Sequence, residues 1–103
     1  MLEDRHLPQA AAIEAYGKGG FRFADMSHRG SILCLPDGIW AWPPRTPQEI
    51  DVTSLQRLLD ERANIDLVVI GTGRDIVPLP AVRTYNILFG ERRRVGAALI
   101  AVD

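Results

Sequence analysis

The chain has 103 residues, twelve of them basic and thirteen acidic, a net charge of −1 and 47% hydrophobic residues. One domain fits that length and two do not. The composition is that of an ordinary globular protein, which excludes a disordered chain, a collagen-like repeat and a coiled coil.

Nucleic-acid binders carry a basic excess or a basic stripe. Here residues 1–66 hold seven basic and ten acidic groups and residues 67–103 hold five and three, so no nucleic-acid partner is expected. The longest apolar run, Val95 to Val102, is broken by Gly96 and is far shorter than the ~20 residues that span a bilayer. No transmembrane segment is therefore expected. Met1-Leu-Glu-Asp-Arg reads as neither a secretory signal nor a transit peptide. Cys34 is the one cysteine, so no internal disulfide and no cysteine metal cluster can form. A reducing, cytoplasmic setting follows as the expectation. Cys34 lies among apolar neighbours and reads as a small core residue.

In chain order, residues 1–12 read as a loose arm and residues 13–103 as one domain. Ile13-Glu-Ala-Tyr alternates and suits a short strand; Gly17-Lys-Gly-Gly is a turn; Phe21-Arg-Phe is a strand with both rings on one face. Ser31 to Leu35, the turn Pro36-Asp-Gly and Ile39-Trp-Ala-Trp form a hairpin. Trp40 and Trp42 share a face, because strand side chains repeat every second residue. Pro43-Pro44 end the strand, since neither can donate to a ladder. Asp51 or Thr53 can cap a first helix that carries Leu55, Leu58, Leu59 and Ala63 as its apolar stripe and ends at Asn64. Asp66-Leu-Val-Val-Ile before Gly71 is a branched run, the pattern of a central strand covered on both faces. After a loop with two prolines, Val82, Tyr85, Leu88 and Phe89 mark a second helix, and Arg92-Arg93-Arg94 suits its C-terminus. Val95 to Val102 is a closing strand. Strand, helix, strand at the end predicts a right-handed parallel crossover. The whole reads as a mixed, mostly parallel sheet with covering helices and an N-terminal hairpin.

Chemical motifs are weak. Gly71-Thr-Gly follows a strand, where α/β proteins place ligands, but position 76 is Ile, not the third glycine of a dinucleotide fingerprint. Gly17-Lys-Gly-Gly lacks the hydroxyl residue of a phosphate loop. Asp25, Ser27 and His28 are too close in sequence to converge on one reacting atom, and His6 and His28 lack partners at metal-ligand spacing. Two surfaces stay as candidates. Gly71, Thr72, Gly73, Arg83, Thr84, Tyr85 and Asn86 would line a post-strand cleft, with Thr84 and Asn86 as candidate helix caps. Trp40, Trp42, Pro43 and Pro44 would form a protein-binding patch, and one Trp face covering the core is the equal alternative.

Ile13-Glu-Ala-Tyr-Gly, the hairpin from Gly30 to Trp40, Leu67-Val-Val-Ile-Gly-Thr-Gly, Arg83-Thr-Tyr-Asn-Ile-Leu and Arg93-Arg-Val-Gly-Ala-Ala-Leu-Ile together resemble the small Mth-like domain family of unknown function. The resemblance covers nearly the whole chain from Ile13. It implies a single three-layer α/β domain, no cofactor, no metal and no established catalysis. It also implies binding to other proteins, since mitochondrial members include an assembly factor of respiratory complex I. Respiratory-chain subunits are the expected partners, and a bacterial cytoplasmic location, peripheral at the inner membrane through those partners, is the expected place. Family members carry a further helix and strand before the Arg-Thr-Tyr-Asn segment, so either this chain has lost that element or a stretch between Pro80 and Ala81 is omitted here, and omission is the favoured expectation. The alternative function is a small-molecule binder or enzyme that uses the Gly-Thr-Gly cleft.

Overall fold

The computed structural model describes residues 5–71 and 79–101. Six strands come first: β1 (Arg5–Leu7), β2 (Ala15–Gly17), β3 (Gly20–Phe23), β4 (Met26–Arg29), β5 (Ser31–Leu35) and β6 (Gly38–Trp42). A short helix α1 (Gln56–Asp60), strand β7 (Leu67–Gly71), helix α2 (Leu79–Gly90) and strand β8 (Val95–Leu99) follow.

Tight turns build the first half. Gly17 pairs with Gly20 across Lys18 and Gly19, both at positive φ. Phe23 pairs with Met26 across Ala24 and Asp25, at φ 48° and 62°. Paired positive-φ residues give the turn whose twist matches that of the strands it joins. The first turn is the one that the glycines predict. The second has no glycine, so β4 was not legible, and Asp25, Ser27 and His28 fall in a hairpin, not a catalytic cluster.

Five strands form the main sheet in the order β1-β6-β5-β8-β7, and β2, β3 and β4 form a second, antiparallel sheet. The main sheet is mixed, as expected, but mostly antiparallel rather than mostly parallel, because the hairpin β5–β6 and its neighbours supply three of its four strand pairs. Its parallel share is one pair, β7–β8, while β5 meets both β6 and β8 antiparallel. Residues 5–7, expected in the loose arm, pair with β6 as an edge strand.

Alternation along the strands sorts the core onto two faces. Ile32, Cys34, Ile39, Ala97 and Leu99 face α2 and the small sheet, where Phe21, Phe23, Val82 and Tyr85 pack. Leu33, Leu35, Trp40, Trp42, Ala98 and Ile100 face α1 through Leu58. These are the three expected layers. Ile32 is wholly buried, and burying such a side chain stabilises the fold by about 1.5–3 kcal/mol.

Three local expectations change. Strand β7 is not central: it closes one edge, and Leu67, Val68 and Ile70 are exposed on it. Its branched run arises from β propensity without cover, because α1 is five residues long. The first helix is shorter than its leucine stripe implied, and Ala63 is exposed in a separate 3-10 turn, Arg62–Asn64. Asp51 does cap the segment before it: Ser54 N–H donates to Asp51 Oδ1 at 2.8 Å, and Asp51 N–H donates to Ser54 Oγ at 3.0 Å. Helix α2 begins at Leu79, earlier than expected, so Thr84 and Asn86 lie inside it and cap nothing.

Asn86 instead clamps the chain ahead of β2. The Ile13 N–H donates to its Oδ1, and its Nδ2 donates to the Ile13 carbonyl, each at 2.8 Å. Beside it the Tyr85 hydroxyl donates to the Ala11 carbonyl at 2.8 Å. An unsatisfied buried backbone group costs about 1–3 kcal/mol. Asn86→Ala orphans two part-buried groups and is expected to lower stability by about 2–4 kcal/mol in urea unfolding. A loss within error of zero would show that the clamp is not needed.

Candidate functional site

The hairpin β5–β6 and the segment leading into α1 enclose a groove of about 460 Å³. Trp42, Pro43, Pro44, Asp51, Arg57 and Asp60 are among its lining residues. The two indoles fix its geometry. Trp42 Nε1 donates to the Ser54 carbonyl at 2.7 Å, which ties β6 to the turn before α1. Trp40 Nε1 donates to Asp37 Oδ1 at 3.2 Å, and the Arg57 guanidinium lies 3.5 Å from the centre of its ring. A guanidinium over an indole face is attracted by the ring quadrupole.

Ser31 anchors the other end of this region. Its buried hydroxyl donates to the Pro44 carbonyl at 2.6 Å and accepts the Ala101 N–H at 3.1 Å. The double-proline exit of β6 is thereby held against the end of β8. The four patch candidates divide accordingly. Trp40 and Trp42 are 5% and 4% exposed and Pro44 is buried, while Pro43 is exposed. Most of the aromatic surface therefore covers the core, and the groove is lined by the nearly buried Trp42 among charged neighbours. One of these is Arg57. Glu61, at the end of α1, has its carboxyl raised above its ordinary range, first by partial burial and then by the Asp37 carboxylate, with Arg57 pulling the other way.

Among the described residues the cleft candidates take separate places. A Cβ on Gly71 would stand 2.9 Å from Ala81 Cβ and 3.0 Å from Leu99 Cδ2. Glycine is therefore needed there so that α2 can sit close to the sheet. Tyr85 is 1% exposed, and Asn86 spends its amide on Ile13. Arg83 and Thr84 are exposed on α2. Arg83 borders a second groove of about 530 Å³ with Ile13, Tyr16, Val82 and Ile87. Thr72 and Gly73 lie outside the described residues. The Arg-Thr-Tyr-Asn segment is thus a packing and clamping device on its Tyr and Asn side, a role with no sequence signature of its own.

Cys34 and Tyr85 are the most perturbed titratable pair. Burial pushes the Cys34 thiol up to about 12, and its hydrogen bond with Tyr85 lowers it only in part. The Tyr85 hydroxyl is raised too, chiefly by burial and then by Cys34. A thiolate is the reactive form, so Cys34 is inert at neutral pH. The folded protein is expected to resist thiol reagents at pH 8 and to release one reactive thiol on denaturation. Against an ordinary value of 9.0, the raised thiol contributes stability in full below pH 9. That stability is lost as pH climbs towards 12, because only the unfolded chain then ionises. Full modification of the native protein at pH 8 would contradict the assignment.

The family model described as a protein of unknown function (DUF498/DUF598) matches residues 13–81. An uncharacterised protein of Rhodobacter capsulatus is 33% identical over 112 aligned positions, covering 88% of this chain and 85% of its own length. Of this chain, 88% is about 91 residues, so about 21 of those 112 positions have no counterpart here. The mouse NADH dehydrogenase [ubiquinone] 1 alpha subcomplex assembly factor 3 is 28% identical; 96% of this chain aligns, spanning 65% of the mouse protein. Among solved structures, an outer membrane protein from Bartonella henselae superposes with a TM-score of 0.87 at 41% identity, covering 95% of this chain and 100% of that one. A Mth938-like domain from Bordetella pertussis gives 0.72 at 27% identity, covering 88% of this chain and 85% of that one.

Proposed function

This chain belongs to the DUF498/DUF598 family, and on that premise we propose that it is a non-enzymatic factor that binds other proteins during assembly of a respiratory complex. One observation carries the reading: the mouse assembly factor aligns with 96% of this chain. The family's own description assigns no function.

The site chemistry supports binding over turnover. The two most perturbed groups, Cys34 and Tyr85, face each other inside the core and reach no substrate. The hairpin groove is lined by residue types that concentrate at protein interfaces, a tryptophan and an arginine, together with acidic residues. Its walls are fixed by the hydrogen bonds of Trp42 and Ser31. A preformed surface loses little conformational entropy when a partner docks. The partner on this reading is a subunit of the membrane NADH dehydrogenase, met on the cytoplasmic side of the inner membrane. No helix among the described residues is long and apolar enough to cross a membrane, so attachment there comes through the partner.

The test is made in the native host. A tagged chain is expected to capture NADH dehydrogenase subunits from gently solubilised membranes, and deletion of the chromosomal copy to lower the assembled complex on native gels. Pro43→Glu with Asp60→Arg changes two exposed groove residues and is expected to weaken capture at least tenfold while leaving the fold intact. A normal level of assembled complex in the deletion strain, with no subunit captured, would overturn the proposal.

A further inference from the structure

We propose that the outer face of the small sheet binds a phosphate group, that of a soluble phosphomonoester or of a phospholipid headgroup. The pairing of β2, β3 and β4 sorts this face into two rows. Ala15, Arg22 and Ser27 stand opposite one another in the first, and Gly17, Gly20 and Arg29 in the second. Directly paired residues project to the same side of a sheet. Phe21 and Phe23 project to the other side, where they fill the core. Arg22, Ser27 and Arg29 are accordingly turned outward and exposed. Lys18, exposed in the turn from β2 to β3, extends the second row.

A groove of about 600 Å³ opens over these rows. Its lining residues all lie between Ala15 and Arg29, so neither the main sheet nor α1 nor α2 contributes to it. Its floor is low for a steric reason. A Cβ on Gly20 would run into the carbonyl oxygen of His28, so no side chain can fill the middle of the second row. Gly17 beside it adds none, and Ala15 and Ser27 are small. The rim is charged. Lys18, Arg22 and Arg29 are among the lining residues, and no Asp or Glu is. Glu14 meets Arg22 at 3.5 Å and offsets one of the three charges. Among the described residues no carboxylate pairs with Lys18 or Arg29. Asp25, the other acid of this segment, sits in the turn at the opposite end of β3.

The chemistry of the rim selects the anion. Arg22 and Arg29 are diagonal neighbours on adjacent strands, about 7–8 Å apart, and their long arms can close on one group between them. Guanidinium forks match phosphate oxygens in paired hydrogen bonds, while a lysine adds a point charge. Ser27, opposite Arg22, supplies a hydroxyl donor. A phosphomonoester carries a charge of about −1.5 to −2 at neutral pH, which matches the two cations that no acid offsets; a single carboxylate would leave one over. The groove falls within the range of about 300–1,000 Å³ of small-molecule sites, roomier than bare phosphate needs, so the phosphate bears an organic group. The small sheet packs on the α2 side of the main sheet and the hairpin groove lies on the α1 side. The two sites can therefore be filled together and tested apart.

The full chain is titrated with glycerol phosphate at constant ionic strength and followed by amide NMR. Saturable shifts confined to residues 15–29 are expected in the millimolar range. Lys18→Gln with Arg29→Gln removes two exposed charges and is expected to weaken binding at least tenfold. Should that variant fail to fold, Ser27→Asp keeps every cation, sets a carboxylate opposite Arg22 and is expected to weaken binding by the same factor. Flotation with vesicles separates the two sources. Retention on phosphatidylcholine mixed with phosphatidic acid, but not on phosphatidylcholine alone, assigns the phosphate to a lipid headgroup. A saturable titration without retention assigns it to a soluble ester. Shifts that scatter over the surface or never saturate, with no vesicle retention, would overturn the proposal. So would binding or retention that both variants leave unchanged.

Discussion

The hold of Asn86 on the backbone of Ile13 is the constraint from which the rest of the structure follows. Its amide matches the N–H and the carbonyl of one residue, both at 2.8 Å, as a neighbouring strand would. Tyr85 adds a second tie two residues earlier in the chain, at Ala11. Together they fasten the entry to the small sheet onto a helix more than half the sequence away. Glu14 then pairs through its N–H with the Arg22 carbonyl, which brings β3 and its two phenylalanines over the main sheet. Without the clamp, that apolar face of the main sheet would depend on α2 alone. The energetic logic is that of buried polar groups: satisfied, they specify one arrangement, and unsatisfied they oppose folding.

The hairpin and the two indoles form a separate and more local unit. Trp42 reaches the turn before α1, and Arg57 returns from α1 to Trp40. Hairpin and helix are thus cross-linked in both directions. Such a unit is rigid while its outer rim is free to vary. That combination suits a surface that must present fixed apolar ground to a protein partner yet tune its charge through Asp51, Arg57 and Asp60. Ser31 extends the unit to the end of β8 with a single hydroxyl that serves two backbone groups.

Much of this was legible in the residues, and the parts that were not have physical reasons. Ser31 to Leu35 and its return through Trp42 follow from alternation and a turn with Pro and Gly. Leu58, Tyr85 and Val82 follow from helical spacing. Strand β4 was hidden because its turn uses Ala24 and Asp25 at positive φ, where glycine or asparagine would have announced it. Strand β7 was misplaced because a run of branched residues reports β preference and not what covers it. The candidate site was readable as residue types and not as roles. Trp40 and Trp42 looked alike on both readings until burial separated them from Pro43. In Arg-Thr-Tyr-Asn the polar groups looked available, and the backbone that occupies two of them lies more than seventy residues upstream. Gly71 carried the right conformational signal with the wrong cause: it makes room for Ala81, not for a ligand.

The position of β8 has a consequence for how the protein is made. It is the last strand among the described residues, yet it occupies the interior of the sheet between β5 and β7. During synthesis the β5–β6 hairpin can form as soon as it emerges, because its contacts are local. The inner edge of β5 then waits, unpaired, until Val95–Leu99 has left the ribosome and slid into place. Pairings between residues so far apart in sequence are the slow ones, and an open apolar edge is exposed to misassembly meanwhile. Truncation within β8 would therefore not trim the sheet. It would split it, leaving a hairpin and a stray strand with nothing between them.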